Sequence, residues 1–325
     1  MKENILEMDE RIESEKVGLI KKIMTGLKRG NVKDQMSLYL IFLPFILWYM
    51  IFAYKPMYGL IIAFKDYNLF RGISGSDWVG LANFKEFLTS PYFYTTLKNT
   101  IFLNIYSLVF EFPFAIILAL MLNEVKNRFF KSFVQTVSFL PYFIAIVVTA
   151  GITINILSPS SGVINHILEK FGFERIYFLS KPEYFRGIFT GMNMWKSTGF
   201  NAVIYLAALT SVDESLYEAA RIDGATKFQQ LRFITFPSII PTIVIMLVLK
   251  VGSMLNVAFE TVLLLYQPAT YSTSDVISTY VYRTGMLMQD FGLATAVGLF
   301  NAVVGFILVY LANRWSKKIT ASGLW

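Results

Sequence analysis

Long apolar runs separated by short polar ones set the pattern of the chain. Six runs approach the roughly 20 residues a helix needs to cross a bilayer: 37–54, 101–122, 133–157, 185–209, 239–263 and 291–312. The fourth is interrupted by GMNMWKSTGFN, and the fifth carries Lys250 and ends near Asn256 and Glu260. The pattern predicts an all-α integral membrane protein, with a polar segment at 1–35, six spans within 36–315 and a tail at 316–325. A polar segment precedes the first span and no small-residue cleavage pattern follows it, so that span is not read as a signal peptide. KVGLIKKIMTGLKR (16–29) has the spacing of a basic amphipathic helix on the membrane face and is read as a juxtamembrane anchor. Between the first two spans, WVGLANFKEFL and SPYFYTTLKNT each predict a short helix lying along the outer surface, and SPSSG (158–162) predicts a turn.

Composition sharpens this picture. Of 325 residues, 55% are hydrophobic and only 16% charged, against about one-quarter charged in soluble domains. No cysteine is present, which removes disulfides and thiolate metal sites. The single histidine, His166, has no second His or Cys to complete a metal site and is expected to face solvent or the interface. The net charge of +7 does not indicate nucleic acid, because the basic residues sit beside apolar spans. They concentrate at 21–33, 126–131, 221–232 and 314–318, whereas on the opposite side Lys65, Lys85, Lys170, Arg175 and Arg283 are diluted by acids such as Asp66, Asp77, Glu169 and Asp275. This bias puts both termini, and the polar segment 211–237, in the cytoplasm.

That segment is unusually well specified for a polar connection. Ser211 and Glu214 match a capping box. A helix is predicted through Tyr217, Glu218, Ala219, Ala220 and Arg221, with Gly224 after Asp223 as its left-handed stop. The chain restarts as ATKFQQLRFITF, with Phe228, Leu231 and Ile234 on one face, and Pro237 closes the element. An ordinary amphipathic surface helix and a docking element fit these features equally well. The motif itself separates them. EAARIDGA, followed by FP, closely resembles the EAA loop of binding-protein-dependent ABC-transporter permeases, with Glu218, Ala219, Ala220, Asp223, Gly224, Ala225 and Pro237 all at the family spacing. The resemblance covers nearly the whole chain. WVGLANF and LKNT look like pieces of the carbohydrate-uptake, maltose-type permeases. YKPMYGLIIAFKDYN, NEVKNRFFK, LSPSSGVIN and the FGLATAVGLF…LANR…GLW end resemble the LplB-like branch, to which alginate permeases are similar.

The resemblance implies a type I ABC importer permease of six transmembrane helices in a bacterial cytoplasmic membrane, with cytoplasmic EAA coupling helices. It implies import of polysaccharide fragments or complex oligosaccharides. It also implies a second homologous permease, two ATP-binding subunits and an extracytoplasmic solute-binding protein. The chain has no G-x-x-x-x-G-K-[ST] phosphate loop, so ATP and Mg are expected on the partners, with no cofactor and no enzyme activity on this chain. A secondary transporter gains slight support from the interrupted fourth span, but the EAA loop has no role in one. A membrane enzyme would need acids, His or Cys clustered at one depth, which the chain does not offer.

Polar groups inside spans are costly and mark functional positions. The fourth span offers Asn193, Lys196 and Asn201 with Trp195 and Phe200 beside them, and the fifth offers Lys250, Ser253, Asn256 and Glu260. The three- and four-residue spacing of Ser253, Asn256 and Glu260 predicts one helical face, a lining suited to sugar hydroxyls. In the maltose-type relatives, sugar contacts fall at positions matching Trp195, Lys196, Ser197, Phe200, Ser253 and Asn256, although Lys196 and Ser197 depart from that pattern. Asn and Ser in spans also commonly just bridge neighbouring helices. Two mid-span cations, Lys196 and Lys250, point to an acidic cargo unless Glu260 or Glu111 neutralises them. Glu111, beside Pro113 in the second span, has no role by sequence alone.

Overall fold

The computed structural model describes residues 32–320. The basic stretch 16–29, with the rest of the polar segment up to residue 31, lies outside the described residues, as do the last five residues of the expected tail. Two compact units follow one another, one ending at Leu60 and one beginning at Ile61.

In the first unit, α1 (Val32–Tyr49) runs into a π turn at Met50–Tyr54. Its residues Leu40 to Trp48 are apolar on every side apart from Pro44, the composition of a helix in lipid rather than of one with a single core face.

The second unit opens with a small antiparallel pair, β1 (Lys65–Asp66) and β2 (Asp77–Trp78), Lys65 opposite Trp78. Helix α2 (Ala82–Thr89) follows. Then α3 (Pro91–Tyr106) starts on Ser90, whose hydroxyl accepts the Tyr92 N–H at 3.1 Å, with Pro91 at the first helical position, where its missing N–H costs nothing. Only the first of the two expected surface helices is separate. SPYFYTTLKNT is instead the start of one long apolar helix, Pro91–Glu124, made of α3, a π turn at Ser107–Glu111 and α4 (Phe112–Glu124).

The third expected span is not straight. Helix α5 (Arg128–Phe139) passes through a 3-10 turn at Leu140–Phe143 and, after Ile144 and Ala145, α6 (Ile146–Ile156) leaves at 102°. Past the predicted turn at SPSSG and α7 (Val163–Lys170), α8 (Pro182–Thr210) is a single helix of 29 residues. GMNMWKSTGFN therefore does not interrupt the fourth span; its polar groups are carried on an unbroken helix.

Helix α9 (Glu214–Ile222) is the predicted polar helix, and α10 (Lys227–Gln230), a π turn at Leu231–Thr235 and α11 (Phe236–Gly252) form one span, Lys227–Gly252. Pro237 thus does not close the element. A proline removes one helical N–H and crowds the carbonyl four residues back. Here the turn before it widens so that the Phe236 N–H reaches Leu231 O, and the helix carries on. The same widening precedes Pro113, with Phe112 N–H on Ser107 O, and Pro56, with Lys55 N–H on Met50 O.

The expected fifth span ends early, at Gly252, followed by a turn and by α12 (Phe259–Leu265). After α13 (Ile277–Tyr282), α14 (Phe291–Thr320) completes the chain's described part. Among the described residues, four helices are long and apolar enough to span by themselves, and the bent α5–α6 pair makes a fifth candidate. Helix α8, about 43 Å long at 1.5 Å per residue, has the length, and its polar groups are what set it apart.

Three apolar clusters hold the second unit together. Ala115, Ile116, Ala119 and Leu122 of α4 pack on Ala202, Tyr205, Leu206 and Leu209 of α8 with Ile239 of α11. Phe185, Phe189 and Met192 of α8 pack on Leu103, Ala150, Val262 and Leu265. Phe87 packs on Ile277, Tyr280, Leu293 and Val297. Helix α8 enters two of the three clusters. Its Gly199 lies so close to the Ser138 carbonyl that a Cβ there would collide with backbone, which is why a glycine sits on an otherwise ordinary helix.

Candidate functional site: a polar cavity and the coupling loop

A cavity of about 590 Å³ opens between α3, α8, the end of α11 and the turn before α12. Its lining combines Asn104, Ser107, Glu111, Asn193, Lys196, Ser197, Lys250, Ser253, Asn256 and Glu260 with Tyr142, Phe189 and Phe259. Amides, hydroxyls and charges over a few aromatic rings suit a polyhydroxylated solute with apolar ring faces.

Each charged group here has a defined setting. The π turn ahead of Pro113 presents Glu111, which accepts hydrogen bonds from the hydroxyls of Ser107 and Ser197 (2.6 Å for the second). Lys250 Nζ stands 3.5 Å from Glu111 Oε2. Lys196 Nζ donates to the carbonyls of Tyr142 (3.0 Å) and Ile144 where α5 gives way to α6, and lies 3.5 Å from the Pro141 carbonyl, which already accepts the Ile144 N–H at 3.2 Å. It also lies 5.8 Å from the centre of the Tyr142 ring. A bent helix leaves carbonyls without intrahelical partners, and an ammonium has three donors to offer them.

The polar segment 211–237 is built by local rules, partly not those expected. Ser211 caps nothing at a helix start: its hydroxyl donates back to Ala208 O at the end of α8. Asp213 is the cap instead, accepting the Ser215 N–H at 2.9 Å. That bond holds the Asp213 carboxyl below its usual pKa. Gly224 has φ +77°, as its stop position requires. Gly224 N–H bonds Arg221 O (3.2 Å) and Ala225 N–H bonds Ala220 O (2.8 Å), the paired closure of a Schellman motif. The capping box lies one element later: Thr226 N–H to Gln229 Oε1 at 2.7 Å, and Gln229 N–H to Thr226 Oγ1 at 3.3 Å.

This element is tied to the bundle by Tyr217 OH on Thr235 Oγ1 (3.0 Å) and by Lys227 on Glu124 (2.9 Å). Its far surface is open. Glu218, Ala219, Asp223, Gly224 and Pro237 are exposed, Ala220 and Ala225 half-buried, and Ile222 is 87% exposed. An isoleucine that bare, beside exposed Leu216 and Phe228, marks a surface made to be covered.

A family model described as binding-protein-dependent transport system inner membrane component matches residues 111–320, more than half of the chain. The chain belongs to that family. Two relatives from Bacillus subtilis (strain 168) match this permease along nearly their whole lengths. The polygalacturonan/rhamnogalacturonan transport system permease protein YteP is 43% identical over 90% of this chain and 91% of its own. Protein LplB is 41% identical over 93% of each. A crystal structure of a bacterial ABC transporter involved in the import of the acidic polysaccharide alginate contains a chain 46% identical, with a TM-score of 0.84, covering 89% of this permease and 98% of that chain. A structure of the alginate transporter in complex with alginate pentasaccharide-bound periplasmic protein matches with the same TM-score of 0.84. The type I permease fold and the resemblance to carbohydrate-uptake permeases therefore stand, and the permease is a multi-pass membrane protein.

Within the permease, the residues picked out for a solute separate. Lys196, Ser253, Asn256 and Glu260 line the cavity together, but not from one helical face: Ser253 ends α11, Asn256 lies in the turn and Glu260 begins α12. The Asn256 side-chain oxygen accepts from Asn301 Nδ2 at 3.0 Å. Trp195 points elsewhere, half-exposed over an apolar groove with Ile152, Ile156, Ile188 and Met192. Phe200 is one step removed, stacked at 3.9 Å on the Tyr142 ring that does line the cavity. Asn104 and Ser107 were missed, although Ser107 stands one helical turn before Glu111 and so shares its face.

Arg283 and Asp275, counted above as outer surface charges, form a buried ion pair at 2.7 Å. That hydrogen bond raises the Arg283 pKa above its ordinary value against the opposing effect of burial. His166 is exposed, 3.9 Å from Glu169, and no group of three metal-ligating side chains exists among the described residues.

Proposed function

We propose that this permease carries carboxylate-bearing oligosaccharides, such as fragments of uronate polysaccharides, inward across the bacterial cytoplasmic membrane. In this reading it works with a second homologous permease, two ATP-binding subunits that use ATP and Mg, and an extracytoplasmic solute-binding protein. Both termini and α9 face the cytoplasm, in line with the distribution of Lys and Arg. Glu218 through Ala225 and Pro237 form the handle that an ATP-binding subunit grips. The exposed Ile222, Leu216 and Ala219 supply an apolar surface for that contact.

The observation that carries the cargo class is the joint one: a polar, aromatic-edged cavity in a chain whose relatives are named for polygalacturonan and alginate, both polymers of sugar acids. Lys196 adds a cation whose partners among the described residues are backbone carbonyls rather than a carboxylate. A neutral oligosaccharide is the second reading, favoured by one contact: Glu111 neutralises Lys250. The two are told apart by ATPase stimulation of the assembled transporter with its binding protein, using acidic and neutral oligosaccharides in parallel. Stimulation by neutral sugars alone would remove the acidic reading. Failure of both classes to stimulate would remove the sugar reading as a whole.

A further inference from the structure

Two cavities meet at one ion pair. Glu111, Lys250 and Ser253 line the 590 Å³ cavity and also a second one of about 230 Å³, completed by Phe112, Ala115, Asn201, Tyr205, Met246 and Leu249. Chain direction puts the two in series. Helix α8 runs toward α9, and its Asn201 and Tyr205, which line the smaller cavity, come after Phe189 and Asn193, which line the larger. Helix α11 runs away from α9, and there Met246 and Leu249 of the smaller cavity precede Ser253. The smaller cavity is thus on the coupling-helix side, and the Glu111–Lys250 contact stands between them.

The pair is asymmetric. Glu111 is buried and held by two serine hydroxyls. Lys250 is 30% exposed at its side chain, and the Glu111 carboxylate at 3.5 Å is its one partner among the described residues. That distance exceeds a good N–H···O hydrogen bond. Ammonium donors prefer charged oxygen acceptors at about 2.7–2.9 Å. Lys250 is therefore the releasable half, while Glu111 keeps its serine partners if Lys250 leaves.

We propose that the Lys250–Glu111 pair is the partition of the translocation path, and that Lys250 passes from Glu111 to the carboxylate of a sugar acid as that unit moves from one cavity to the other. This rests on the carboxylate-bearing cargo proposed above. The exchange trades one carboxylate partner for another, so the cation is never left bare, whereas a neutral sugar must part the pair without replacing it.

The test uses the complete transporter with its binding protein in proteoliposomes, with trigalacturonate as the acidic probe and its methyl ester as the neutral one. Lys250→Met is expected to raise the half-saturating trigalacturonate concentration at least about tenfold, the factor that about 1.4 kcal/mol corresponds to, while shifting the methyl ester by less than about twofold on the same scale. Lys250→Arg is expected to recover most of the loss. The exchanged pair Glu111→Lys/Lys250→Glu restores the charge contact but moves the cation, so it is expected to assemble, by gel filtration of the complex, yet to transport trigalacturonate as poorly as Lys250→Met. Equal losses for both probes in Lys250→Met, or recovery in the exchanged pair, would reduce the contact to a structural ion pair. Wild-type transport of the ester but not of trigalacturonate would overturn the cargo reading and this inference with it. Unchanged trigalacturonate transport by Lys250→Met would overturn this inference alone.

Discussion

Replacing Asp275 by Asn keeps the shape of the outer segment and removes one charge. Asp275 is 3% exposed and accepts three side-chain hydrogen bonds: from Arg283 Nη1 (3.1 Å) and Nη2 (2.7 Å), and from Thr279 Oγ1 (2.8 Å). Its backbone carbonyl also receives Asn99 Nδ2 at 3.0 Å, and Asn99 in turn accepts from Arg186 at 3.1 Å. Asp275 is thus a junction: its carboxylate ties Thr279 and Arg283, while its backbone carbonyl reaches α3 through Asn99 and α8 through Arg186. Removing one partner of a buried pair costs about 3–5 kcal/mol, because the other charge stays behind. Two features moderate this. The Arg283 side chain keeps 17% exposure, and the faces of Tyr92, Tyr271 and Tyr280 stand 5.4–5.9 Å from its guanidinium. Ring faces attract a cation by about 0.5–1 kcal/mol where it is still partly wet. The expected loss is therefore at the lower end, about 3 kcal/mol. Arg283→Met added to Asp275→Asn removes the stranded charge and is expected to return part of the stability. The assay is thermal unfolding of the purified transporter followed by fluorescence-detected gel filtration, run as a double-mutant cycle. If the double variant melts below Asp275→Asn, or if Asp275→Asn melts with the wild type, the stranded-charge reasoning is wrong.

Four further outcomes follow from the polar loop and the helix contacts. Gly224 at φ +77° has open space where a Cβ would be, so Gly224→Ala meets no clash and suffers only left-handed strain, about 1–2 kcal/mol. Gly224→Pro and Glu218→Lys are expected to abolish uptake with membrane insertion intact; unchanged uptake in both removes the coupling role of the loop. Asp213→Ala is expected to speed amide exchange across Glu214–Ile222 at neutral pH. The native carboxyl is depressed by the Ser215 N–H, so its capping is complete above the unfolded pKa of about 3.9 and fades as pH falls through the lower folded value. Exchange that ignores both the substitution and acidification would contradict this. Gly199→Val drives a side chain into the Ser138 carbonyl and is expected to lower the yield of assembled transporter sharply, while Gly191→Val, with open space around it, is not; equal yields would contradict the close approach.

Much of the architecture was legible because lipid imposes a coarse rule: backbone groups must pair within the segment, so long apolar runs become helices. Helix interruptions were not legible, because their signals depend on the turn beside them. Pro237 read as a stop, yet a π turn before it removes the clash, as it does before Pro56 and Pro113. Conversely, the KVGSMLN stretch read as continuous helix, and the helix ends at Gly252, a position where Val309 of α14 occupies the space a side chain would need. With the helix end went the single face expected for Ser253, Asn256 and Glu260. Ser211 and Glu214 have a capping-box spacing, but α8 runs on to Thr210 and leaves Ser211 at its end. The Schellman closure at Gly224 was legible because glycine there answers a purely local need.

The two mid-span lysines show why residue type alone did not separate structure from transport. By sequence, Lys196 and Lys250 are the same signal, an ammonium at membrane depth. In the fold, Lys196 is taken up by the backbone: it donates to the Tyr142 and Ile144 carbonyls at the 102° bend, with the Pro141 carbonyl 3.5 Å away. It could bind a passing carboxylate only by giving up its bonds to the Tyr142 and Ile144 carbonyls, at a cost of about 1–3 kcal/mol for each group left buried without a partner. Lys250 has no such tie. Its partner is a carboxylate that two serines already satisfy, at a distance too long for a firm hydrogen bond. A cation that secures the bend has little freedom to follow a substrate, whereas one held by charge across a partition has a great deal. The same residue type thus divides into a fixed and a movable cation according to the number of hydrogen bonds it would have to break.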